Sequence, residues 1–366
     1  MVKPVNSWRQ LSRLNIDGYK SIGHLSLEMG RINVLIGANG AGKSNFIGFF
    51  RMIQNILDRN LQYVVGMAGG PDALLHFGRK VTRALGAELY FGNNGYLFTL
   101  EPTADNRMMF SREALWWNMK GDWGRGAGHF ETRFAERGSY GQIWEHVVPA
   151  LRSWRVYHFH DTSSTALVKQ IHGTNDNQYL RDDASNLAAF LLRLRDHHRE
   201  HYDRIVKAVR LVAPFFGDFL LRPTVANSEK IQLEWTEQDR DVPFTASGLS
   251  DGTLRFICLA TVLLQPEQFM PAAILIDEPE LGLHPFAVTV LGGLMKSAAV
   301  ENQLIVSTQS GELVNEFDVE DLIVVDKRGG ASTFTRPDPT ALSAWIADFS
   351  LGELWKKNIL GGRPGR

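Results

Sequence analysis

The sequence predicts an α/β fold: a mixed, largely parallel sheet with helices packed on it, a β-rich lobe and a short helical insertion. Three observations predict it. The continuous apolar run Ile32–Ile36 suits a buried strand, and it leads through a glycine-rich turn at 37–42 into a segment with helical spacing of Phe46, Ile47, Phe50, Ile53, Ile56 and Leu57. From residue 247 onward, helix and strand patterns alternate, which is how a parallel sheet with covering helices reads. Between these regions lies a stretch rich in glycine and aromatics with strand-like pieces.

In chain order, 11–16 and 24–28 read as short strands, then the buried strand 32–36 and a helix over 44–60. Segments 87–91 and 96–101 read as strands separated by Asn93, Asn94 and Gly95, a turn signal. Residues 116–128 read as irregular surface loop. A helix is predicted over 185–214 from Leu187, Phe190, Leu191 and Leu194, with RLRDHHREH on its opposite face. Strands follow at 219–222 and 230–235. The remaining elements are a helix at 252–264, a strand at 273–276, a helix at 285–299, a strand at 303–307, a short helix at 310–317 and a strand at 321–326. No internal repeat or low-complexity tract interrupts them. The expected organisation is an N-terminal half with its β-rich lobe (1–150), a helical and β insertion (151–246), a C-terminal half (247–340) and a tail (341–366).

With 366 residues, 44% of them hydrophobic, the chain can bury one large core or two smaller ones. A net charge of −1 gives the whole molecule no pull on phosphate, so a nucleic-acid contact requires a local basic patch. The single cysteine, Cys258, excludes a disulfide scaffold and a four-cysteine zinc site. The N-terminal residues hold no apolar core of signal-peptide length, and the longest apolar run, 256–264, falls far short of the ~20 residues that span a membrane. A soluble, cytoplasmic protein is expected, with no membrane partner.

The sharpest chemical signal is GANGAGKS, Gly37 to Ser44, which fits G-x-x-x-x-G-K-[ST] between a buried strand and an amphipathic helix. Glycines let successive backbone N–H groups and the helix N-terminus face a phosphate. Lys43 is expected to reach the β- and γ-phosphates, and the Ser44 hydroxyl to ligate Mg2+. The second signal is AAILIDEP, in which an apolar strand runs into Asp277 and Glu278 at the sheet edge where α/β proteins place ligands. Asp277 suits magnesium, and Glu278 suits the role of general base for an attacking water. Alone, each carboxylate reads as a solvated strand end; the phosphate loop changes that. The third signal, LSDGT, opens a helix with Ser250 as a plausible N-cap, and by itself it reads only as a cap.

Taken in order, GANGAGKS, LSDGT, ILIDEPELGLHP and VSTQS resemble the ABC-type ATPase heads of the RecF, SMC and OLD group, nearest to stand-alone OLD-like AAA-type ATPases of prokaryotic anti-phage defence. WRVYHFHDTSS, YLRDDASNLAAFL and the C-terminal FSLGELWKKNILGGRP are similar to segments of the same group. The resemblance implies a P-loop ABC-type head that binds ATP and Mg2+. Its ATP-binding residues would be Gly37, Asn39, Gly40, Gly42, Lys43, Ser44 and Asn45, and its catalytic residues Lys43, Glu278 and Gln309. It implies that Ser250 and Gly252 contact the γ-phosphate held by a second subunit, and that Glu280, Leu283 and His284 face that subunit. The partners implied are a homodimer or higher homo-oligomer and a separate effector, a nuclease or toxin, since no nuclease signature appears. The alternative is a RecF-like repair ATPase that binds DNA itself. A transporter subunit is disfavoured by LSDGT, Gln309 and the GLHP segment.

Two departures stand out. LSDGT in place of LSGGQ puts Asp251 where a phosphate would arrive. Gln309 replaces the histidine common at that position; an amide donates and accepts but takes up no proton. Gln142 and Gln170 are both candidates for the glutamine that usually follows the phosphate loop. Arg193, Arg195, His197, His198 and Arg199 form a basic stretch whose interspersed Asp196 and Glu200 favour a solvated helix face over a nucleic-acid contact. His158, His160 and His172 lack zinc-site spacing. Trp116, Trp117 and Trp123 with Arg112 and Arg125 read more simply as packing aromatics than as a surface for bases or a protein partner.

Overall fold

A computed structural model describes residues 9–138 and 141–362. The chain forms two compact units. The first takes the described residues up to Val156, Pro271–Leu275 and those from Glu301 on; the second takes Tyr157–Met270 and Ile276–Val300.

The first unit is built on two six-stranded sheets. One is antiparallel, in the order Ile22–Glu28, Arg13–Tyr19, Leu85–Phe91, Asn94–Pro102, Met108–Trp117, Gly121–Gly124. Leu14, Ile16, Ala87, Leu89, Tyr96, Phe98 and Leu100 are buried by the alternation of their strands and join one core with Phe46, Phe49 and Phe50 of the helix Lys43–Leu57. Each of those phenylalanines contributes about 1.5–3 kcal/mol by burial. Trp154 closes this core, its ring 5.0 Å from Phe50 and 6.1 Å from Phe91.

The other sheet has the order Ala331–Thr335, Leu322–Arg328, Ile32–Ile36, Gln303–Thr308, Ala273–Asp277, Arg155–Tyr157. Ile32–Ile36 lies parallel to both of its neighbours, Gln303–Thr308 and Leu322–Arg328, and the edge strand Ala331–Thr335 is antiparallel to Leu322–Arg328. The interior strands Ile32–Ile36 and Gln303–Thr308 are buried along nearly their whole length and carry apolar cores, Val34–Ile36 and Leu304–Val306, because both faces are covered.

The reading of 116–128 as irregular loop is corrected. Met108–Trp117 and Gly121–Gly124 pair as a hairpin, with Trp116 opposite Asp122 and Trp117 opposite Gly121. The second strand is largely exposed, so no alternation of apolar and polar residues marked it. Trp117 and Trp123 stack on this hairpin at 6.4 Å, and Arg112 pairs with Asp122 at 2.7 Å. The stretch 61–150 also contains the helices Leu61–Ala68 and Gly141–Ser153; glycine in the first and Pro149 in the second masked their periodicity.

In the second unit the helix expected over 185–214 is two, Leu187–His197 and Arg199–Val212, broken at His198 where the backbone leaves the helical region. The basic stretch is held within the chain. Arg193 donates to the Asn177 carbonyl and lies over Phe269, Arg195 pairs with Asp196, and Arg199 pairs with Asp203. The strand expected over 230–235 is split between two three-stranded sheets, Asn227–Ile231 in one and Glu234–Glu237 in the other, because the chain crosses over at Gln232 and Leu233. The helices Asp251–Leu264 and Pro285–Ala298 pack together. Among the described residues, no helix is long and apolar enough to cross a membrane.

Cys258 is buried in the helix Asp251–Leu264, where desolvation pushes its thiol up to about 12. The thiolate is therefore scarce in the folded chain at neutral pH. Alkylation by iodoacetamide at pH 8, followed by mass spectrometry, should be at least about a hundredfold slower in the native than in the denatured protein. Equal rates would show the site open.

Candidate functional site

The register sets the first half of the site. Ile36 lies opposite Thr308 on one side and Val324 on the other, so the loop 37–42 and Gln309 leave neighbouring parallel strands at the same edge. The loop's glycines answer to contacts. A Cβ on Gly37 would sit 2.2 Å from the Val325 carbonyl oxygen, and one on Gly42, at φ 122°, 2.1 Å from Ser332 Oγ. Lys43 is only 5% exposed, and its Nζ donates to the carbonyls of Gly37 (2.7 Å) and Ala38 (3.2 Å). Asn39, Gly40 and Ser44 are exposed. Asn45 donates to Ser21 Oγ at 2.7 Å, and Ser332 Oγ lies within 2.7 Å of that hydroxyl and 2.5 Å of the Ala41 carbonyl oxygen. Among the described residues, no side chain caps the N-terminus of the helix Lys43–Leu57, which leaves its first N–H groups and the positive end of the helix dipole to an anion.

In the second unit, Asp277 ends its strand with one carboxylate oxygen, Oδ1, buried and without a hydrogen-bond partner among the described residues. A buried carboxylate oxygen left so is costly unless a cation completes it. Glu278 follows at φ 46°, a left-handed conformation that costs a non-glycine residue about 1–2 kcal/mol. Beyond it the chain turns through Glu280, Leu281, Gly282 and Leu283 to His284, whose Nδ1 accepts from the Phe286 N–H and caps the helix Pro285–Ala298. Leu281 of this turn and Phe286 at the start of the helix are 46% and 50% exposed and put two apolar side chains at the surface here.

Ser250 caps the helix Asp251–Leu264 by accepting from the Thr253 N–H, and both Ser250 and Asp251 are exposed. Gly252 has a reason within the fold as well: a Cβ there would lie 2.3 Å from the Gly282 carbonyl oxygen. The start of this helix and the turn 278–284 are thereby locked backbone to backbone. Gln142 sits exposed in the first turn of Gly141–Ser153, in the first unit, and Gln170 is an exposed residue of the second whose amide reaches the Ser164 carbonyl at 3.4 Å.

Two residues, Arg255 and Lys169, escaped the sequence reading, and a third, His160, entered it only as a histidine without zinc-site spacing. Arg255, 5% exposed, donates to the carbonyls of Phe159, His160 and Leu281 and so joins three segments of the second unit. Burial lowers its pKa from the ordinary arginine value, while the charge of Asp251 raises it. A lone cation inside the apolar helix sequence TLRFICLATVLL was the signal available. His160 donates from Nε2 to the Asp277 carbonyl at 3.1 Å. Lys169, 8% exposed, donates to the Thr162 carbonyl and brings its ammonium within 3.9 Å of Asp251, which offsets the negative charge of LSDGT. No pattern in the sequence marks Lys169.

The family described as "AAA domain, putative AbiEii toxin, Type IV TA system" matches residues 128–315, just over half the chain. No curated protein matches the sequence. Among solved structures, "Crystal structure of the SmcHead bound to the C-winged helix domain of ScpA" is similar with TM-score 0.58 and 17% identity, over 90% of this chain and 99% of that one. A second, the Smc head domain with an extended coiled coil bound to the C-terminal domain of ScpA, derived from Pyrococcus furiosus, has TM-score 0.57 and 15% identity, over 92% and 98%. The fold is the α/β P-loop fold of ABC-type heads.

Proposed function

The chain belongs to this AAA-domain family, and from that premise we propose that it is a cytoplasmic, magnesium-dependent ATPase that pairs with a second copy around ATP and switches a separate effector in anti-phage defence. The observation that carries this reading is the phosphate loop on Ile32–Ile36, with a buried Lys43 docked on its own loop carbonyls and an uncapped helix N-terminus behind it. Gly37, Asn39, Gly40, Gly42 and Asn45 belong to that cradle.

Ser44 and Asp277 are the residues that would hold magnesium. The chemistry of the pair fits: an exposed hydroxyl and a carboxylate whose buried Oδ1 lacks a partner. Held by these residues, the ion would supply neutralisation of the charge on the triphosphate. Glu278 accepts the proton of the attacking water, and the Gln309 amide orients that water. Lys43 leaves its resting carbonyls for the phosphates, exchanging neutral acceptors for charged ones.

Ser250 and Gly252 of one copy meet the γ-phosphate carried by the other, with Lys169 balancing Asp251. The turn 278–284, with Glu280 and His284, faces the same partner. ATP binds the closed pair more tightly than the open one, and loss of the γ-phosphate removes that difference. A separate nuclease or toxin reads the change.

The test is phosphate release by the wild-type chain. ATP with Mg2+ should be hydrolysed at a rate that excess EDTA reduces to background and added Mg2+ restores. Nucleotide-independent background in every condition would sink the reading.

A further inference from the structure

The C-terminal segment has two anchor points in the first unit, and both lie against the nucleotide machinery. The first is on the helix Gly311–Val314, which begins immediately after Gln309 and Ser310. The helix Leu351–Lys356, started by a Ser350 and Glu353 capping box, packs on it. The Gly352 N–H donates to Asn315 Oδ1 at 2.7 Å, and a Cβ on Gly352 would lie 2.3 Å from the Gly311 carbonyl oxygen. Lys356 adds an ion pair with Glu312 at 3.7 Å.

The second anchor is on the phosphate loop. The Gly362 carbonyl accepts from the Ala38 N–H at 2.9 Å. A Cβ on Gly362, at φ 78°, would lie 2.9 Å from Val324 Cγ1, 3.2 Å from the Val325 carbonyl oxygen and 3.5 Å from Gly37 Cα. The Ala38 peptide is thus held from both sides. Its N–H is taken by the tail, and its carbonyl accepts from Lys43 Nζ and the Ala41 N–H.

We propose that residues 350–362 are a positioning element of the nucleotide site, with Gly362 holding the phosphate loop and Gly352 holding the helix that follows Gln309. Each anchor admits only glycine without displacement, so the close approach is built into the sequence at both ends. A loop prearranged for phosphate does not give up ordering entropy when it binds. The Gly362 anchor therefore acts on affinity. The Gly352 anchor sets where Gln309 stands and acts on turnover.

This inference rests on the reading of the site as an ATPase, and the experiment separates the two. ADP binding is measured by calorimetry, and kcat by phosphate release, for the full chain, Gly362→Ala, Asn315→Ala and a chain ending after Gly362. Gly362→Ala should weaken ADP about tenfold, the size expected for losing prearrangement of one loop. Asn315→Ala, an exposed side chain whose loss leaves the core intact, should keep ADP affinity within about twofold and lower kcat about fivefold or more, the signature of an interaction outside ground-state binding. The chain ending after Gly362 should match the full chain. If the full chain binds ADP and both point variants bind and turn over like it, or both merely melt at lower temperature, the positioning role is wrong. If removing the last four residues alone abolishes binding, the phosphate contact lies there instead and the proposal fails. If the full chain binds no ADP, the ATPase reading has failed first.

Discussion

Lys43→Ala abolishes ATP turnover, by at least about a hundredfold, while the far-ultraviolet circular dichroism spectrum is unchanged. The magnitude follows from removing a charged donor aimed at the oxygens where charge develops during phosphoryl transfer. Retention of the fold follows from where Lys43 sits. Its ammonium docks on two carbonyls of its own loop, and the core behind it is carried by Phe46, Phe49 and Phe50. Truncation leaves those carbonyls near the exposed loop surface of Asn39 and Gly40, where water replaces the ammonium. Phosphate release measured beside melting temperature checks both halves. Turnover within threefold of wild type would refute the assignment of the phosphate loop.

Glu278→Gln stops hydrolysis and traps a larger assembly with ATP. The amide has the shape of the carboxylate but accepts no proton, so a step that needs general-base help slows by about 10²–10⁴. The backbone at Glu278 already lies at φ 46°, and glutamine occupies it at the same cost, so the substitution leaves the turn 278–284 in place. ATP then persists, and its differential affinity for the paired state accumulates that state; going from a minor to a dominant population takes about 10⁴ in relative affinity. Light scattering should give at least twice the monomer mass with ATP and the monomer mass with ADP. An unchanged mass with ATP would remove the signature from the mechanism, and undiminished turnover would remove Glu278 as base.

The parts legible in the sequence are those whose residue types are dictated locally. Ile32–Ile36 needs an apolar run because both faces of an interior parallel strand are covered, and Gly40 and Gly42 are needed because the loop turns at φ 76° and 122°, where side chains rarely fit. The helix Asp251–Leu264 was legible from its serine cap and apolar run. Exposed or interrupted elements were not. The strand Gly121–Gly124 shows no alternation, and the helix Gly141–Ser153 carries a proline.

By itself, the sequence determined the order of strand, phosphate loop and helix at one end, and the order of signature, acidic strand and switch segment at the other, since each is a short pattern with its own turn or cap. Only the tertiary structure decided what those patterns touch. It set Gln309 beside the phosphate loop through the pairing of Thr308 with Ile36, gave Asp251 a countercharge in Lys169, and laid Gly362 on Ala38. The reason is physical. A turn or a cap is specified by its neighbours in sequence, whereas a carbonyl taken by a side chain or backbone N–H hundreds of residues away leaves no periodic trace, because any residue that brings a donor to that point satisfies it.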